Sequence, residues 1–170
     1  MAVLPIVKYG HEALRRPTEP VAEVDGALQK LIDDMVDTMH AAPGIGLAAN
    51  QIGVSMRLAV IDLSVGKRPN ELIVLVNPEI VETEGQVTEE EGCLSIPDMT
   101  EIVTRPARVK ARFLDRNGTE RELWGEELMA RALSHEIDHL EGSLFVDRLR
   151  GFKKERILKR IQKLSKAGMW

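Results

Sequence analysis

Two histidines, His135 and His139, stand four positions apart, with the carboxylate of Glu136 beside the first of them. On an α-helix, residues four apart lie on one face, so both imidazoles can bind the same cation. Glu136 is then close enough to act as a general base toward water at that cation. Because this arrangement works only on a helix, the pattern predicts a helical metal site in this part of the chain.

A catalytic metal site of this kind usually has three protein ligands, so a third must lie elsewhere. The residues after His139 follow the metzincin pattern as far as Gly142, but Phe145 stands where that class requires a third His, which excludes it. A downstream Glu is another source, but Glu155 stands in a basic stretch and only 31 residues follow His139. The downstream sequence therefore leaves little room for the third ligand.

The single cysteine of the chain, Cys93, is the upstream candidate, because a thiolate binds zinc or ferrous iron well. A small buried hydrophobic role is the common alternative for a lone cysteine. Here Gly92 and Pro97 flank Cys93, and the acidic run at 89–91 is unfavourable for a core strand. We therefore expect Cys93 to be the third ligand.

Hydrophobic periodicity predicts an α+β fold. Apolar residues at helical spacing predict an amphipathic helix over 27–40 and a helix buried on most faces over 125–140. Segments rich in Val, Ile and Leu predict strands at 57–63, 71–76, 101–104, 107–115 and 119–124. Asn117 and Gly118 supply a hairpin turn between the last two. We expect antiparallel β-sheets around a buried central helix that carries the histidine motif.

Length and composition favour a single catalytic domain over residues 1–170, because no linker or internal repeat divides the chain. The start of the chain has no signal-peptide pattern, and no stretch reaches the roughly 18 apolar residues of a membrane helix. One cysteine cannot form an internal disulfide, and a thiolate ligand survives better in a reducing compartment. We therefore expect an unexported, cytoplasmic protein without a membrane partner.

Three motifs, in order, resemble the bacterial-type peptide deformylase family. Residues 44–51 read GIGLAANQ, residues 91–95 read EGCLS, and residues 135–142 read HEIDHLEG. Asn50 stands where the family often has Pro, at a variable position. The ordered set extends over most of the chain and is far more specific than any one of its motifs.

The resemblance implies a metal-dependent hydrolase that removes the N-formyl group from the N-terminal formyl-methionine of new polypeptides and releases formate. Glu136 would accept a proton from the attacking water and return it to the leaving amine. The ligand set Cys93, His135 and His139 suits several divalent metals. The resemblance implies Fe²⁺ as the physiological metal, with Zn²⁺, Ni²⁺ or Co²⁺ in purified protein.

The resemblance also implies roles for further residues. The side-chain amide of Gln51 and the backbone N–H of Leu94 would stabilise negative charge on the formyl oxygen. Asp138, which does not share the stripe of the two histidines, would pair with Arg105 and support the site.

The methionine side chain would fill an apolar pocket lined by Ile45, Leu128 and Ala132. Three glycines would let an extended peptide approach the backbone closely: Gly44, Gly46 and Gly92. A structural Gln, a solvated Asp and ordinary core residues are the alternatives.

Charge is unevenly distributed along the chain. Residues 148–166 contain nine Lys or Arg and one Glu, a net charge of +8, whereas the whole chain carries −4 and the remainder therefore −12. Apolar residues recur at helical spacing among the basic ones and predict an amphipathic C-terminal helix at about 152–166. A solvated helix face is one interpretation. Docking to ribosomal RNA near the exit of the nascent chain, as some bacterial family members do with a C-terminal helix, is the other; no DNA partner is expected.

Two other functions stay open at this point. A metallopeptidase would use the same helix to cleave unformylated peptides. A non-catalytic metal-binding or RNA-docking module would explain the basic C-terminal region, but it leaves Glu136 and Gln51 poorly explained.

Overall fold

The computed structural model describes residues 2–170, in which three α-helices and seven β-strands occur. The helices are α1 (Gly26–Ala41), α2 (Leu128–Leu140) and α3 (Phe152–Lys166). The strands are β1 (Gly46–Ala48), β2 (Leu58–Ile61), β3 (Ile73–Glu84), β4 (Val87–Cys93), β5 (Ile96–Arg105), β6 (Arg108–Leu114) and β7 (Glu120–Glu126). Short 3-10 turns occur at Glu12–Leu14, Ala49–Ile52, Pro69–Glu71 and Phe145–Arg148.

Five strands form one antiparallel sheet in the order β1-β2-β3-β6-β7, and β4 pairs with β5 in a separate hairpin. Alternation along β2 directs Ala59 and Ile61 to one face of the sheet and Leu58 and Val60 to the other. Helix α2 packs on the first face and helix α1 on the second. The sheet is therefore covered on both sides at β1, β2 and the start of β3.

Helix α2 is buried on most sides, since only three of its thirteen residues are not buried. The five-stranded sheet covers one side. The β4–β5 hairpin covers another, where Glu91 and Arg105 form hydrogen bonds with Arg131, Ser134 and His135. This layering places the histidine motif between two β-structures.

Helix α3 packs on the hairpin side of the molecule. Its Ile157 and Ile161 lie in an apolar cluster with Ile96 and Met99 of β5 and with Phe145. The helix is therefore part of a core and not a free appendage. Within residues 2–170, no helix combines the length and the apolar character needed to cross a bilayer.

The predicted α+β class, with antiparallel sheets and a central helix, is confirmed, but several element bounds differ. Strands β1 and β4 were not predicted, and β5 begins at Ile96 and not at 101. Helix α2 begins at Leu128 and not at 125, because Gly125 belongs to β7 and Glu127 has a φ of 53°. Strand β3 continues to Glu84, because its polar outer half pairs with β6. The acidic run at 89–91 lies in β4, which is a hairpin strand with mostly exposed side chains.

Gly142 lies just after α2 with a φ of +83°, and a Cβ there would be 2.6 Å from the carbonyl oxygen of Arg15. We expect Gly142→Ala to lower the free energy of unfolding by about 2–3 kcal/mol, because it introduces both backbone strain and steric overlap. Gly53 is the matched control: its φ is +79°, but a Cβ there would meet nothing within 4 Å. Gly53→Ala should cost about 1 kcal/mol. Urea denaturation measures both losses, and equal losses would contradict the steric contribution.

Candidate active site

The side chains of Cys93, His135 and His139 converge where the hairpin meets helix α2. His135 Nε2 lies 3.1 Å from His139 Nε2, which in turn lies 3.3 Å from Cys93 Sγ. All three potential ligand atoms lie within 4.8 Å of one another. Cys93 ends β4, and the two histidines stand one turn apart on α2. The structure thus brings together the three residues that were predicted as ligands.

This donor set fits a divalent transition metal. Ligand atoms around a tetrahedral ion at about 2.0–2.3 Å lie about 3.3–3.8 Å apart, which is close to the separations of 3.1 and 3.3 Å in this cluster. Burial lowers the pKa of His139 well below its usual range, so its imidazole is neutral and can donate a lone pair. Two imidazole nitrogens and one sulfur suit zinc, iron, cobalt or nickel.

Glu91 orients the first histidine. Its carboxylate is buried and accepts a hydrogen bond from His135 Nδ1 at 2.6 Å. Burial alone would raise the pKa of Glu91, but hydrogen bonds from His135 and Arg105 hold it far below its usual range. An ionised Glu91 accepts a hydrogen bond from the proton on Nδ1 of His135, so Nε2 is the ring nitrogen that faces the ligand cluster.

Two arginines complete the surroundings of Glu91. Arg105 donates to both carboxylate oxygens, each at 2.6 Å, and Arg131 donates to one of them at 2.8 Å. Arg105 also donates to Asp138 Oδ2 at 2.9 Å, and Arg148 binds both oxygens of Asp138 at 2.7 and 3.0 Å. The expected contact between Arg105 and Asp138 is therefore present, and Asp138 lies outside the ligand cluster.

Glu136 follows the first histidine and lines the cavity beside the ligand cluster. Its side chain is buried, and its Oε1 has no hydrogen-bond partner among residues 2–170. Burial raises the pKa of Glu136 to about 7. A carboxyl group of this kind can both accept and release a proton near neutral pH.

The amide of Gln51 is buried and held at both ends. Its Oε1 accepts a hydrogen bond from the backbone N–H of Ala48 at 3.0 Å, and its Nε2 donates to Ser95 Oγ at 3.1 Å. Because the oxygen is bound to an N–H group, the NH₂ end must face the ligand cluster, where it lies 3.7 Å from Cys93 Sγ. Leu94 lies in the turn after Cys93 and borders the same cavity.

A cavity of about 690 Å³ opens beside the ligand cluster. All six residues that were expected to contact substrate line it: Gly44, Ile45, Gly46, Gly92, Leu128 and Ala132. Ala132 is buried, whereas Leu128, the first residue of α2, is 47% exposed and stands at the rim. The volume is in the range of ligand pockets in general, and the role of each lining residue stays a prediction.

Two of the lining glycines have a reason for being glycine that the sequence did not suggest. A Cβ on Gly46 would lie 2.5 Å from Glu136 Oε2, and one on Gly44 would lie 2.8 Å from Leu94 Cδ1. Gly46 therefore leaves space for the carboxyl group of Glu136, and this requirement is independent of any contact between Gly46 and a peptide substrate.

Sequence reasoning misses Glu91 and Arg131 as members of the site. A usable signal exists for Glu91, because a metal-binding histidine generally donates its other ring N–H to a carboxylate, and a run of glutamates precedes Cys93. No comparable sequence pattern indicates Arg131, because its contact with Glu91 depends on how the hairpin packs on α2.

Comparison with known proteins agrees with this geometry. The family model for polypeptide deformylase matches residues 3–155. A peptide deformylase of Acidobacterium capsulatum is 51% identical over 170 residues, which is 100% of both chains. One from Thermodesulfovibrio yellowstonii is 49% identical over 162 residues, or 95% of this chain and 98% of the relative.

Solved structures give the same result. The crystal structure of a peptide deformylase from Legionella pneumophila superposes with a TM-score of 0.91 at 46% identity and covers 98% of each chain. That of the Ehrlichia chaffeensis enzyme in complex with actinonin gives a TM-score of 0.87 at 38% identity, covering 96% of this chain and 98% of the other. Since family model, relatives and structures all match over nearly its whole length, the chain belongs to the polypeptide deformylase family.

Proposed function

We propose that Cys93, His135 and His139 hold the catalytic metal of this hydrolase and that Glu136 is its general base. As a member of its family, the chain is a metal-dependent enzyme that deformylates nascent peptides. The observation that carries the residue assignment is the convergence of two imidazole nitrogens and one sulfur within 4.8 Å. A bound divalent metal would supply Lewis acidity, which polarises the formyl carbonyl and makes water more acidic.

Glu136 moves the proton. It accepts a proton from the water whose oxygen adds to the formyl carbon, and it delivers that proton to the amine nitrogen as the carbon–nitrogen bond breaks. The products are formate and a peptide with a free amino terminus. Support comes from the buried position of Glu136 in the cavity wall, with Gly46 leaving space for its carboxyl group.

Gln51 and Leu94 stabilise the developing negative charge on the formyl oxygen. The side-chain N–H of Gln51 is fixed in direction before substrate binds, because Ala48 and Ser95 hold the amide. A donor that needs no reorganisation contributes most to transition-state stabilisation. The backbone N–H of Leu94 is the second donor in this proposal.

The substrate is the formyl-methionyl end of a nascent polypeptide. Its methionine side chain occupies the apolar part of the cavity, at Ile45, Leu128 and Ala132. Ala132 is buried and small, so it leaves depth for an unbranched side chain, whereas the exposed Leu128 covers the entrance.

The physiological metal in this proposal is Fe²⁺. The ligand set of one thiolate and two imidazoles also accommodates Zn²⁺, Ni²⁺ or Co²⁺, so purified protein can contain any of them. We place residues 1–170 in one catalytic domain and in the cytoplasm, where a thiolate ligand is kept reduced.

Helix α3 docks the enzyme to ribosomal RNA in this proposal. Its outward face forms a shallow groove lined by Phe152, Glu155, Arg156, Lys159, Arg160 and Lys163. Five of these side chains are aromatic or basic and exposed, whereas Ile157 and Ile161 are buried on the opposite side. A basic face with an aromatic residue is suited to phosphate and base contacts.

Replacing the proposed base tests the mechanism. We expect Glu136→Gln to lower kcat for a formyl-methionyl peptide by about 10²–10⁴-fold, because proton transfer is lost while the shape of the side chain is kept. Metal content should stay at the wild-type level, since Glu136 is outside the ligand cluster. Formate release and metal analysis measure the two quantities.

Glu141→Gln is the matched control for that variant, because Glu141 lies just beyond the same helix with its carboxylate largely exposed. It should retain wild-type turnover. If Glu136→Gln turned over as fast as Glu141→Gln, the assignment of the base would be wrong.

Charge reversal on α3 tests ribosome docking without disturbing the core. We expect Lys159→Glu combined with Lys163→Glu to abolish co-sedimentation with ribosomes at low salt, while formate release from a short peptide is unchanged. Lys30→Glu combined with Lys67→Glu, which changes the same charge on α1 and on the loop after β2, should leave co-sedimentation intact. Equal retention of ribosome binding by both double variants would refute docking through α3.

A further inference from the structure

Asn50 lies between the proposed oxyanion donor and the end of the metal-binding helix. It belongs to the 3-10 turn Ala49–Ile52, directly before Gln51, and it is buried. Its side-chain Nδ2 donates a hydrogen bond of 2.5 Å to the backbone carbonyl oxygen of His139. One side chain therefore connects the turn that carries Gln51 to the last residue of the ligand cluster.

The direction of the Asn50 amide follows from this contact, because only the NH₂ end can donate to a carbonyl. Its Oδ1 is then buried without a hydrogen-bond partner among the described residues, and so is Nδ1 of His139. Leaving a polar atom unpaired in the interior is unfavourable. A Pro, which the family often has at this position, would bury no side-chain polar atom here and could not donate to His139, so the contact with His139 is a feature of the Asn50 of this chain.

A second side chain holds the same end of α2. Thr18 donates from its backbone N–H and from Oγ1 to the carbonyl oxygen of Leu140, at 3.0 and 2.8 Å. Thr18 thus binds the backbone carbonyl of Leu140, the residue after His139, whereas Asn50 binds the backbone carbonyl of His139 itself. Only the contact of Asn50 is with a proposed metal ligand.

We infer that Asn50 is a positioning residue for the deformylase reaction. Its amide fixes the backbone of His139 relative to Gln51, so that metal ligand and oxyanion donor keep a constant separation. Asn50 touches no reacting atom and acts through His139. This inference rests on the proposed ligand role of His139.

Zinc release tests the inference independently of turnover. We expect zinc-loaded Asn50→Ala to transfer its metal to a chromogenic chelator about tenfold faster or more than wild type, because the supporting contact of a ligand is lost. Its kcat for a formyl-methionyl peptide should fall while KM stays close to the wild-type value. Asn50→Ser keeps a polar side chain and should release zinc at a rate between those of wild type and Asn50→Ala. It replaces Asn50→Ala in the test if the Ala variant does not fold.

Thr18→Val is the matched control, since it removes a side-chain hydrogen bond from the neighbouring carbonyl of the same helix end. It should lower the unfolding temperature but release zinc at the wild-type rate. Release from Asn50→Ala at the wild-type rate, or release from Thr18→Val as fast as from Asn50→Ala, would overturn the inference and leave the proposed function standing. A wild-type protein that binds no zinc or other divalent metal would overturn both.

Discussion

The carboxylate of Glu91 joins the hairpin that carries Cys93 to the helix that carries the two histidines. It receives Arg105 from its own hairpin and Arg131 and His135 from α2, in a region from which solvent is excluded. Removing one member of a buried ion pair costs about 3–5 kcal/mol, because a charge is left without compensation. The relative position of hairpin and helix is therefore fixed by the same group that sets the tautomer of the first histidine.

The parts of the site that could be predicted rest on local geometry or on a unique residue. Two histidines four apart on a helix must share a face, and Cys93 is the single cysteine of the chain. The antiparallel sheets followed from segments rich in Val, Ile and Leu with a hairpin turn at Asn117 and Gly118, and the central helix followed from apolar residues at helical spacing. Family membership followed from the ordered motifs, and the comparisons confirm it.

What could not be predicted depends on contacts between distant segments. Alternation alone would put Glu89 and Glu91 on the same face of β4, yet Glu91 is buried and Glu89 is exposed. The difference arises because Arg105 of β5 and Arg131 and His135 of α2 all contact the carboxylate of Glu91. Polar pairings such as that between Glu91 and Arg131 leave no periodic trace in a sequence. The close approach of Glu136 to Gly46 is of the same kind, because it depends on where α2 crosses β1.

We propose that Cys93, with the two histidines, holds the metal on which deformylation depends. Protein purified without oxygen, assayed for formate released from a formyl-methionyl peptide and analysed for metal in the same sample, tests it directly. We expect bound iron and rapid formate release for the wild type, and loss of both for Cys93→Ala. A Cys93→Ala protein that kept its metal and its rate of formate release would contradict it.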